Sequence, residues 1–357
     1  MVLTSTISAA QLIQLGTDLL ESANVSSANA RFVSGTLVDA DLRGHFSHGV
    51  NQIPGYLEAL DRGDVLADGE VEITERGTNF ATIDGGLALG QVASRVAMNT
   101  AIEIAQERAI GVVSLRRSSH YGAGGYWVQM AADADLIGFT TSNDATSTVA
   151  AHGGSSSTMV NAAFAWAFPA AEETDIVIDM GTGMAADGKV NLAKLLGAQI
   201  PIGWALDASG RQTVDPNAVE AILPFGGAKG YAINVLCDIL AGVLSGSDAS
   251  AVSIGRPVIE GGWANHFFLA LRIDAFLPTG EFKAALDRQI RAIRESRPAD
   301  GVDRIYLPGE RSNEAREQGL IHGLEMSNVV LKRLFDLAAR RGIFSSSVED
   351  YLGPSGV

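Results

Sequence analysis

Two histidines in this chain, His48 and His120, stand where a side chain could move a proton beside a bound ligand. His120 follows the apolar run VVSL and precedes four small residues at 122–125, GAGG. Glycine lets backbone amides approach a ligand closely, and histidine exchanges a proton near neutral pH. This arrangement indicates a site that binds a cofactor and does acid–base chemistry. A tight turn with a hydrogen-bonded histidine is the structural alternative.

Three further clusters have the composition of a ligand site. His48 lies in RGHFSHGVNQIPGY at 43–56, Asp179 ends a strand in IVIDMGTGMAADGKV at 176–190, and Lys229 lies in LPFGGAKGYAINVL at 223–236. A lysine at a helix N-terminus favours a bound pyrophosphate or carboxylate. Each cluster alone is also typical of a helix end or a turn. Together with SSHYGAGG, the three clusters indicate one functional site.

The motifs exclude several common kinds of site. The chain has no G-x-G-x-x-G turn of a Rossmann unit, no P-loop and no G-x-S-x-G elbow of a serine hydrolase. Its six histidines are scattered, and His45 and His48 do not share a helical face with a third ligand nearby. We therefore expect no metal site.

Composition limits the partners of this protein. The 357-residue chain has a formal net charge of −15, and 46% of its residues are hydrophobic. A negative surface repels phosphate backbones, so we predict no nucleic-acid partner. No run approaches the roughly 20 apolar residues of a membrane span, and the N-terminus lacks the pattern of a signal peptide. The single cysteine, Cys237, lies in an apolar run and fits a reducing compartment, so we expect a cytoplasmic protein without membrane contact.

Apolar patterning predicts a mixture of helices and strands. Leucine and isoleucine at helical spacing predict two helices within 8–43, with Ser26 and Ser27 able to cap the second. Alternation in VEITERG and FATIDGG predicts a hairpin, which is followed by a long helix and the buried strand IGVVSL. Further apolar strands and the helix GYAINVLCDILAGVLSG follow, and two helices close the chain. This mixture indicates an α/β or α+β fold.

The chain resembles the malate/L-lactate dehydrogenase family, whose members have a non-Rossmann fold. Relatives include sulfolactate and ureidoglycolate dehydrogenases, diketogulonate reductase and Δ1-piperideine-2-carboxylate reductase. The resemblance extends from about residue 8 to residue 345, nearly the whole chain. It rests on eight motifs in this order: DLRGHFSHGV, SSHYGAGGYW, AAHGG, VIDMGTGMAADGKV, IPIGWALDASGRQTVDP, LPFGGAKGY, GGWANHFFLALRID and IYLPGE.

The resemblance implies an α/β fold with a mixed-sheet core that binds NAD(P). It implies an N-terminal helical part with the S-H-G motif at 1–70, the core at 71–280, and a C-terminal helical part at 281–357 that packs with the N-terminal part. It also implies a homodimer as the working unit.

The same resemblance implies an NAD(P)-dependent dehydrogenase or reductase that transfers a hydride between nicotinamide and a 2-hydroxy or 2-oxo acid. NAD is slightly favoured over NADP, and reduction of a cyclic imino acid is the alternative reaction. His48 is then the proton donor, His120 lines the same pocket, and Ser47 orients the imidazole or the substrate. Hydride addition builds negative charge on oxygen, so a proton donor lowers the barrier. The implied cofactor-binding residues are His120, Gly122, Ala123, Ile178, Asp179, Met180, Gly181, Ala228, Lys229, Gly309 and Glu310.

The sequence departs from the family pattern where the substrate binds. Relatives read R-G-x-D-S-H-G-x-x-R, whereas here Phe46 replaces the aspartate and Gln52 replaces the second arginine, which grips a carboxylate. Glutamine has neither the charge nor the two-pronged donor set of arginine. Relatives read G-T-N-P where this chain has Val160 and Asn161 at the second and third positions. We therefore expect a substrate other than a small dicarboxylate.

A replacement for the missing arginine could come from Arg43, Arg116 or Arg117. Two other classes of protein stay open: a relative that binds the dinucleotide with little turnover, and a structural or interaction protein that reuses the fold. The retained histidines and glycine loops favour the enzyme. The implied substrate-binding residues are Arg43, Gln52, Val160 and Asn161.

Overall fold

Strands and helices alternate along the chain in the computed structural model, which describes residues 4–144, 147–247, 250–253 and 264–343. Within those residues the strands are β1 (Thr4–Ile7), β2 (Glu72–Arg76), β3 (Phe80–Asp84), β4 (Ile110–Ser118), β5 (Leu136–Asp144), β6 (Val149–Ala150), β7 (Ser157–Met159), β8 (Ala163–Phe168), β9 (Ile176–Gly181), β10 (Ala205–Leu206), β11 (Gln212–Thr213), β12 (Ala221–Ile222), β13 (Ala264–Arg272) and β14 (Leu324–Ser327). The α-helices are α1 (Ala9–Glu21), α2 (Ser27–Leu42), α3 (Ile53–Arg62), α4 (Gly90–Arg108), α5 (Gly124–Ala132), α6 (Asp187–Leu196), α7 (Ala228–Ala241), α8 (Ser250–Ser253), α9 (Thr279–Arg294), α10 (Glu310–His322) and α11 (Asn328–Arg340).

The central sheet is mixed and has the strand order β2-β3-β4-β13-β5-β8-β9. β3 and β4 are parallel, and the other neighbours are antiparallel. Both faces are buried. Along β13, Phe268 and Ala270 pack in the core formed with α4 and α5, whereas Phe267 and Leu269 pack with Ala241 of α7. Successive strand residues point to opposite faces, so a strand covered on both sides needs a continuous apolar run. The sheet confirms the α/β class with a mixed-sheet core.

The first and last helices share a second core. β1 pairs antiparallel with β14, and leucines from α1, α2 and α11 are buried together, such as Leu15, Leu37 and Leu334. This core fixes the end of α2 and the start of α3. The loop between them carries Ser47 and His48.

Most predicted elements are present, including the β2–β3 hairpin and the long helix α4. Ser26 is the N-cap residue of α2, but its side chain makes no capping hydrogen bond. Several features were not predicted: the β1–β14 pair, helices α3, α5, α6, α8 and α9, and a small sheet with the order β11-β10-β12-β6-β7. Several strands of that small sheet have two residues, which is too short for an alternating pattern. Residues 261–263 and 344–345 of the predicted family match lie outside the described residues.

One helical segment, Ala228–Ser245, is long and apolar enough to cross a membrane by length and composition alone. One side of it makes buried polar contacts within the protein. The Asn234 side chain donates to the carbonyl of Val160 at 2.9 Å, and the Asp238 carboxylate accepts from the backbone and hydroxyl of Ser250. These hydrogen bonds fit a helix that packs against its own sheet.

Candidate active site

The loop that carries the S-H-G motif is held by a buried carboxylate at the end of α2. Asp41 accepts a hydrogen bond from the backbone N–H of Val50 at 2.9 Å. The loop passes so close to this carboxylate that a Cβ at Gly49 would lie 1.8 Å from Asp41 Oδ1. Glycine is therefore the residue that fits beside His48.

Ser47, His48 and Gln52 are brought together in this loop. The Ser47 hydroxyl lies 2.9 Å from His48 Nδ1, and the Gln52 amide donates to the Ser47 carbonyl at 2.6 Å. Gln52 therefore uses an amide N–H to hold the backbone of the loop. The His48 Nε2 atom has no hydrogen bond to a described residue and remains open to a substrate.

His120 reaches the same place from the sheet. It follows β4 in a loop whose Ser119 hydroxyl accepts from the backbone N–H of Gly90, at the start of α4. A Cβ at Gly90 would lie 2.4 Å from the His120 carbonyl oxygen, so the helix end and the loop touch. The rings of His48 and His120 are 5.5 Å apart between centroids. The structure thus brings together the two histidines that the sequence singled out.

Tyr56 and Gln91 also belong to this site, and the sequence analysis missed them. The Tyr56 hydroxyl lies 2.6 Å from His120 Nδ1, and the Gln91 amide donates to the same hydroxyl at 2.9 Å. Both side chains are buried. An apolar helix face around Tyr56 is an ordinary core pattern, so no sequence signal marked its hydroxyl as functional.

A third missed residue is Asp187, the first residue of α6. Its neighbour Gly188 lies against Ser47, since a Cβ there would be 2.6 Å from the Ser47 Cβ. The Asp187 carboxylate accepts hydrogen bonds from Asn161 at 3.4 Å and from Thr148 at 3.3 Å. Asn161 is therefore tied to Asp187. The segment DGKV was noticed in the sequence, but an acid in the first turn of a helix is common and carries no signal of its own.

Burial shifts the pKa values of His48 and Asp187 in opposite directions. It lowers the pKa of His48 below the usual 6.5, while the carboxylates of Asp179 and Asp187 oppose that shift. Burial also raises the pKa of Asp187 above the usual 3.8. The hydrogen bonds that Asp187 accepts and the charge of His48 both lower this pKa in part. The two pKa values therefore approach each other.

His120 is different because burial and the neighbouring His48 and His266 lower its pKa to about 3. No carboxylate stabilises its cation. The imidazole is therefore neutral across the working range of most enzymes.

The predicted cofactor residues near Asp179 lie along the edge of the central sheet. β9 is the last strand of the sheet, and the Asp179 carboxylate on it accepts from the backbone N–H of Gly125 at 2.7 Å. Ala123 is the N-cap residue of α5, and Gly122 has a φ of 83°, which favours glycine. The other β9 residues in the predicted set are Ile178, Met180 and Gly181.

A polar cavity of about 300 Å³ lies at the other end of β9. Arg43 is in its wall, where the guanidinium pairs with Asp39 at 2.7 Å, and Arg316 pairs with the same aspartate at 2.6 Å. Gly309, from the P-G-E turn, also lines it. The remaining lining residues are Gln129, Asp133, Thr174, Asp175, Val177 and Asn313.

The predicted residues of the two remaining turns differ in what they offer a ligand. Glu310 is buried, and its carboxylate pairs with Arg294 and Arg304 and accepts from the backbone N–H of Leu307. Pro308 of that turn is exposed and Gly309 is half-buried, so the carboxylate of Glu310 is not available to a ligand whereas these two residues are. Ala228 and Lys229 begin α7, and both are exposed.

The predicted residue Val160 and the candidate arginines Arg116 and Arg117 contribute little to the polar site. Val160 is buried with Ala162 and Cys237, so its side chain belongs to a small apolar core. Arg116 and Arg117 both pair with Asp84. Within the described residues no group of three or more His, Cys, Asp or Glu side chains could hold a metal ion.

The fold and the histidine pair define a dehydrogenase built without a Rossmann unit, and comparisons with known proteins identify it further. A sequence profile of the malate/L-lactate dehydrogenase family matches residues 7–335. The malate dehydrogenase of Pyrococcus horikoshii is 33% identical over 335 residues, 91% of this chain and 92% of that protein. Its solved structure has a TM-score of 0.86 at 31% identity and covers 95% of this chain and 96% of that one.

Two other relatives differ in their named activity. The ureidoglycolate dehydrogenase (NAD(+)) of Escherichia coli O157:H7 is 32% identical over 335 residues, 92% of this chain and 94% of that protein. The structure of Δ1-piperideine-2-carboxylate reductase from Pseudomonas syringae has a TM-score of 0.82 at 27% identity, covering 94% of this chain and 100% of that one. The chain belongs to the malate/L-lactate dehydrogenase family, as its motifs indicated. It is an oxidoreductase that acts on CH–OH groups.

Proposed function

We propose that this enzyme transfers a hydride between a nicotinamide dinucleotide and a 2-hydroxy or 2-oxo acid other than a small dicarboxylate. The observation that supports it best is the pair of imidazoles, His48 and His120, 5.5 Å apart between ring centroids. Their free Nε2 atoms offer two hydrogen-bonding groups to one carbonyl or hydroxyl oxygen. The carboxylates of Asp179 and Asp187 favour the cationic form of His48, which holds the proton to be exchanged.

The strip along β9 fits an elongated dinucleotide. β9 is the edge strand of the sheet, the Val177 N–H on it donates to the Pro308 carbonyl at 3.2 Å, and α5 begins with glycines that bring it close to Asp179. A Cβ at Gly125 would lie 2.9 Å from Asp179 Oδ2, so a larger residue would push the helix end outward. The histidines lie at one end of this strip and the polar cavity at the other. When bound, the nicotinamide supplies or accepts the hydride.

His48 moves the proton in this proposal. Ser47 occupies Nδ1, so Nε2 faces the substrate oxygen. In reduction, Nε2–H gives its proton to that oxygen as the charge develops; in oxidation, Nε2 takes the proton back. The carboxylates of Asp179 and Asp187 favour the imidazolium form of His48, which holds this proton before reduction and after oxidation. Because burial lowers the pKa of His48, the ring is ready as a base in the oxidation direction.

The charges around the site support a substrate with one carboxylate. Gln52 stands where relatives have an arginine, and its amide is used by the Ser47 carbonyl. The three arginines that could replace the missing cation are each paired with an aspartate. These pairs are Arg43 with Asp39, and Arg116 and Arg117 with Asp84.

A substrate panel tests the proposal. We expect NADH-dependent or NADPH-dependent reduction of a bulky 2-oxo monocarboxylate with a higher kcat/KM than for oxaloacetate. A preference for oxaloacetate would contradict the substrate assignment. Binding of the dinucleotide without turnover of any 2-oxo or imino acid would instead identify a relative with little turnover.

A reductase of cyclic imino acids is the second candidate. The similarity to Δ1-piperideine-2-carboxylate reductase favours it, together with the hydrogen bond that the Gln52 amide donates to the Ser47 carbonyl where relatives have an arginine. The same two imidazoles would then face an imino nitrogen. A cyclic imino acid in the substrate panel distinguishes the two reactions by the ratio of their kcat/KM values.

We further propose that NAD is preferred to NADP, because the cavity at the end of β9 carries two carboxylates. The Gln129 amide donates to Asp175 at 2.8 Å and to Asp133 at 2.9 Å. Ribose hydroxyls can donate to a carboxylate, whereas a 2′-phosphate would be repelled by it. Both arginines of the cavity are already paired with Asp39. One relative is a dehydrogenase named for NAD(+).

Fluorescence titration with NADH and NADPH tests this preference. Asp175→Asn should raise the affinity for NADPH relative to NADH, and Asp135→Asn, an equal charge change at an exposed position, should not. Lys229→Ala should weaken both nucleotides alike, since the pyrophosphate is common to them. A wild-type protein that binds NADPH more tightly would contradict the proposal.

We also propose a homodimer in the cytoplasm. Helix α7 has an apolar stripe on its outer side, formed by Ala232, Leu236, Ile239 and, beyond its end, Val243. Leu236, Ile239 and Val243 are each about half exposed, and their helical spacing makes one continuous face. Light scattering should give twice the chain mass, and Leu236→Asp should produce monomers. Val302→Asp, an exposed position outside the stripe, is the control.

A further inference from the structure

A chain of buried hydrogen bonds leads from Gln91 through Tyr56 to His120. Gln91 Nε2 donates to the Tyr56 hydroxyl at 2.9 Å, and that hydroxyl lies 2.6 Å from His120 Nδ1. Tyr56 is 3% exposed and Gln91 is fully buried. His120 keeps part of its surface exposed, so the chain runs from the interior towards the substrate space.

The donors in this chain determine its direction. An amide nitrogen can only donate, so the Tyr56 oxygen accepts from Gln91 and its single hydrogen points to His120. Nδ1 of His120 is then the acceptor. In a neutral imidazole the remaining hydrogen must be on Nε2.

We propose that Tyr56 and Gln91 are positioning residues that hold His120 as the Nε2–H tautomer. This tautomer donates a hydrogen bond to the substrate oxygen and does not transfer a proton. The charged and titratable neighbours agree with this role. His48 and His266 both disfavour a cation on His120. The Tyr56 hydroxyl faces Nδ1 of the same ring. A fixed donor stabilises the negative charge that develops on the oxygen during reduction. The proton that this oxygen gains comes from His48, so the hydrogen on His120 stays in place.

The tautomer can be observed without cofactor or substrate. In protein labelled with 15N-histidine, we expect His120 to carry its hydrogen on Nε2 and not to titrate between about pH 5 and pH 8. The His120 signals are assigned by their absence from the His120→Gln variant. Tyr56→Phe should shift the Nδ1 resonance, because the acceptor loses its hydrogen bond. Tyr126→Phe removes a hydroxyl from a tyrosine that packs on Phe32, and it should leave the resonance unchanged. A hydrogen on Nδ1, or a ring that titrates in this range, would overturn the inference.

Kinetics separate a hydrogen-bond donor from a proton donor. Glutamine keeps an N–H near the position of Nε2, so His120→Gln should retain kcat within about 10-fold, whereas His120→Ala should lose about 10²–10³-fold, as for other donors to a developing oxyanion. Tyr56→Phe should lower kcat about 10-fold and leave NADH affinity unchanged, as expected for a partner that orients a histidine. Equal losses in His120→Gln and His120→Ala would show that the proton itself is needed.

This inference rests on the proposed function only for the identity of the reacting oxygen. If the wild type reduces no 2-oxo or imino acid, the proposed function fails. The labelled-histidine experiment still decides the tautomer in that case, so the two failures are distinguishable.

Discussion

The two histidines of the site are neighbours in space but lie in opposite chemical surroundings. His48 is on a loop between helices, its Nδ1 meets the hydroxyl of Ser47, and carboxylates stabilise its cation. His120 is at the end of a central strand, its Nδ1 meets a buried tyrosine, and both burial and the neighbouring imidazoles disfavour its cation. The first surroundings favour proton exchange and the second prevent it. Burial lowers the pKa of both imidazoles, and only His48 has nearby carboxylates that oppose this shift, so His48 is the imidazole better suited to act as an acid or base.

The largest effect should come from removing the exchanging imidazole. His48→Ala should lower kcat roughly 10²–10⁴-fold, the usual size of general acid–base catalysis, and leave NADH affinity nearly unchanged. Steady-state kinetics and fluorescence titration measure the two quantities. An active His48→Ala enzyme with an unaltered pH profile would remove the distinction between the two histidines.

A smaller effect is expected when His48 keeps its ring but loses its carboxylate. Asp187→Asn should lower kcat about 10–100-fold, because a partner that tunes the histidine is lost. The carboxylate stabilises the His48 cation, so its removal lowers the pKa of His48 further. The rising limb of kcat/KM for oxidation should therefore move to lower pH. Asp303→Asn, an exposed position, is the control, and a limb that stays in place would contradict the pairing.

The substitution Gln52→Arg tests whether the His48 loop can regain a cationic side chain that binds a substrate carboxylate. We expect the ratio of kcat/KM for oxaloacetate to that for a bulky 2-oxo acid to rise about 10-fold, the difference between a charge-assisted and a neutral hydrogen bond. Absolute kcat should fall modestly, since the Ser47 carbonyl loses the glutamine amide. If the wild type already prefers oxaloacetate and the variant is no better, another cation holds the second carboxylate.

The last prediction concerns the stability of the fold. It depends on the Asp41 carboxyl group, which holds the His48 loop. Burial raises the pKa of Asp41 from 3.8 to about 7. The folded state therefore binds more protons than the unfolded state between these values, and this stabilisation is lost as pH rises from about 4 to about 7. The free energy of unfolding of the wild type should fall relative to Asp41→Asn over this range, by on the order of 3–4 kcal/mol. Urea unfolding at several pH values measures it, and parallel curves would show that Asp41 does not titrate there.

Long elements with a clear period were predictable from the sequence, and contacts between segments were not. The apolar patterns of helix α4 and strand β13 each indicate one type of secondary structure. The two-residue strands of the small sheet are defined only by the strands with which they pair. Gln52 was interpreted as a lost substrate ligand from its position in the motif. Its contact with the Ser47 carbonyl, five residues away in sequence, could not be predicted because it depends on the path of the loop.

The sequence by itself determined the family, the helices and strands with regular apolar spacing, and the two imidazoles as the chemical groups of interest. The tertiary structure alone decided what each imidazole touches. Tyr56 is 64 residues from His120 and 35 from Gln91 along the chain, yet their atoms meet within 3 Å. A hydrogen bond requires atoms at that distance and in a suitable direction. Residue types and spacing indicate which groups are present, but only packing brings such distant donors and acceptors together, and their contacts decide which histidine can exchange its proton.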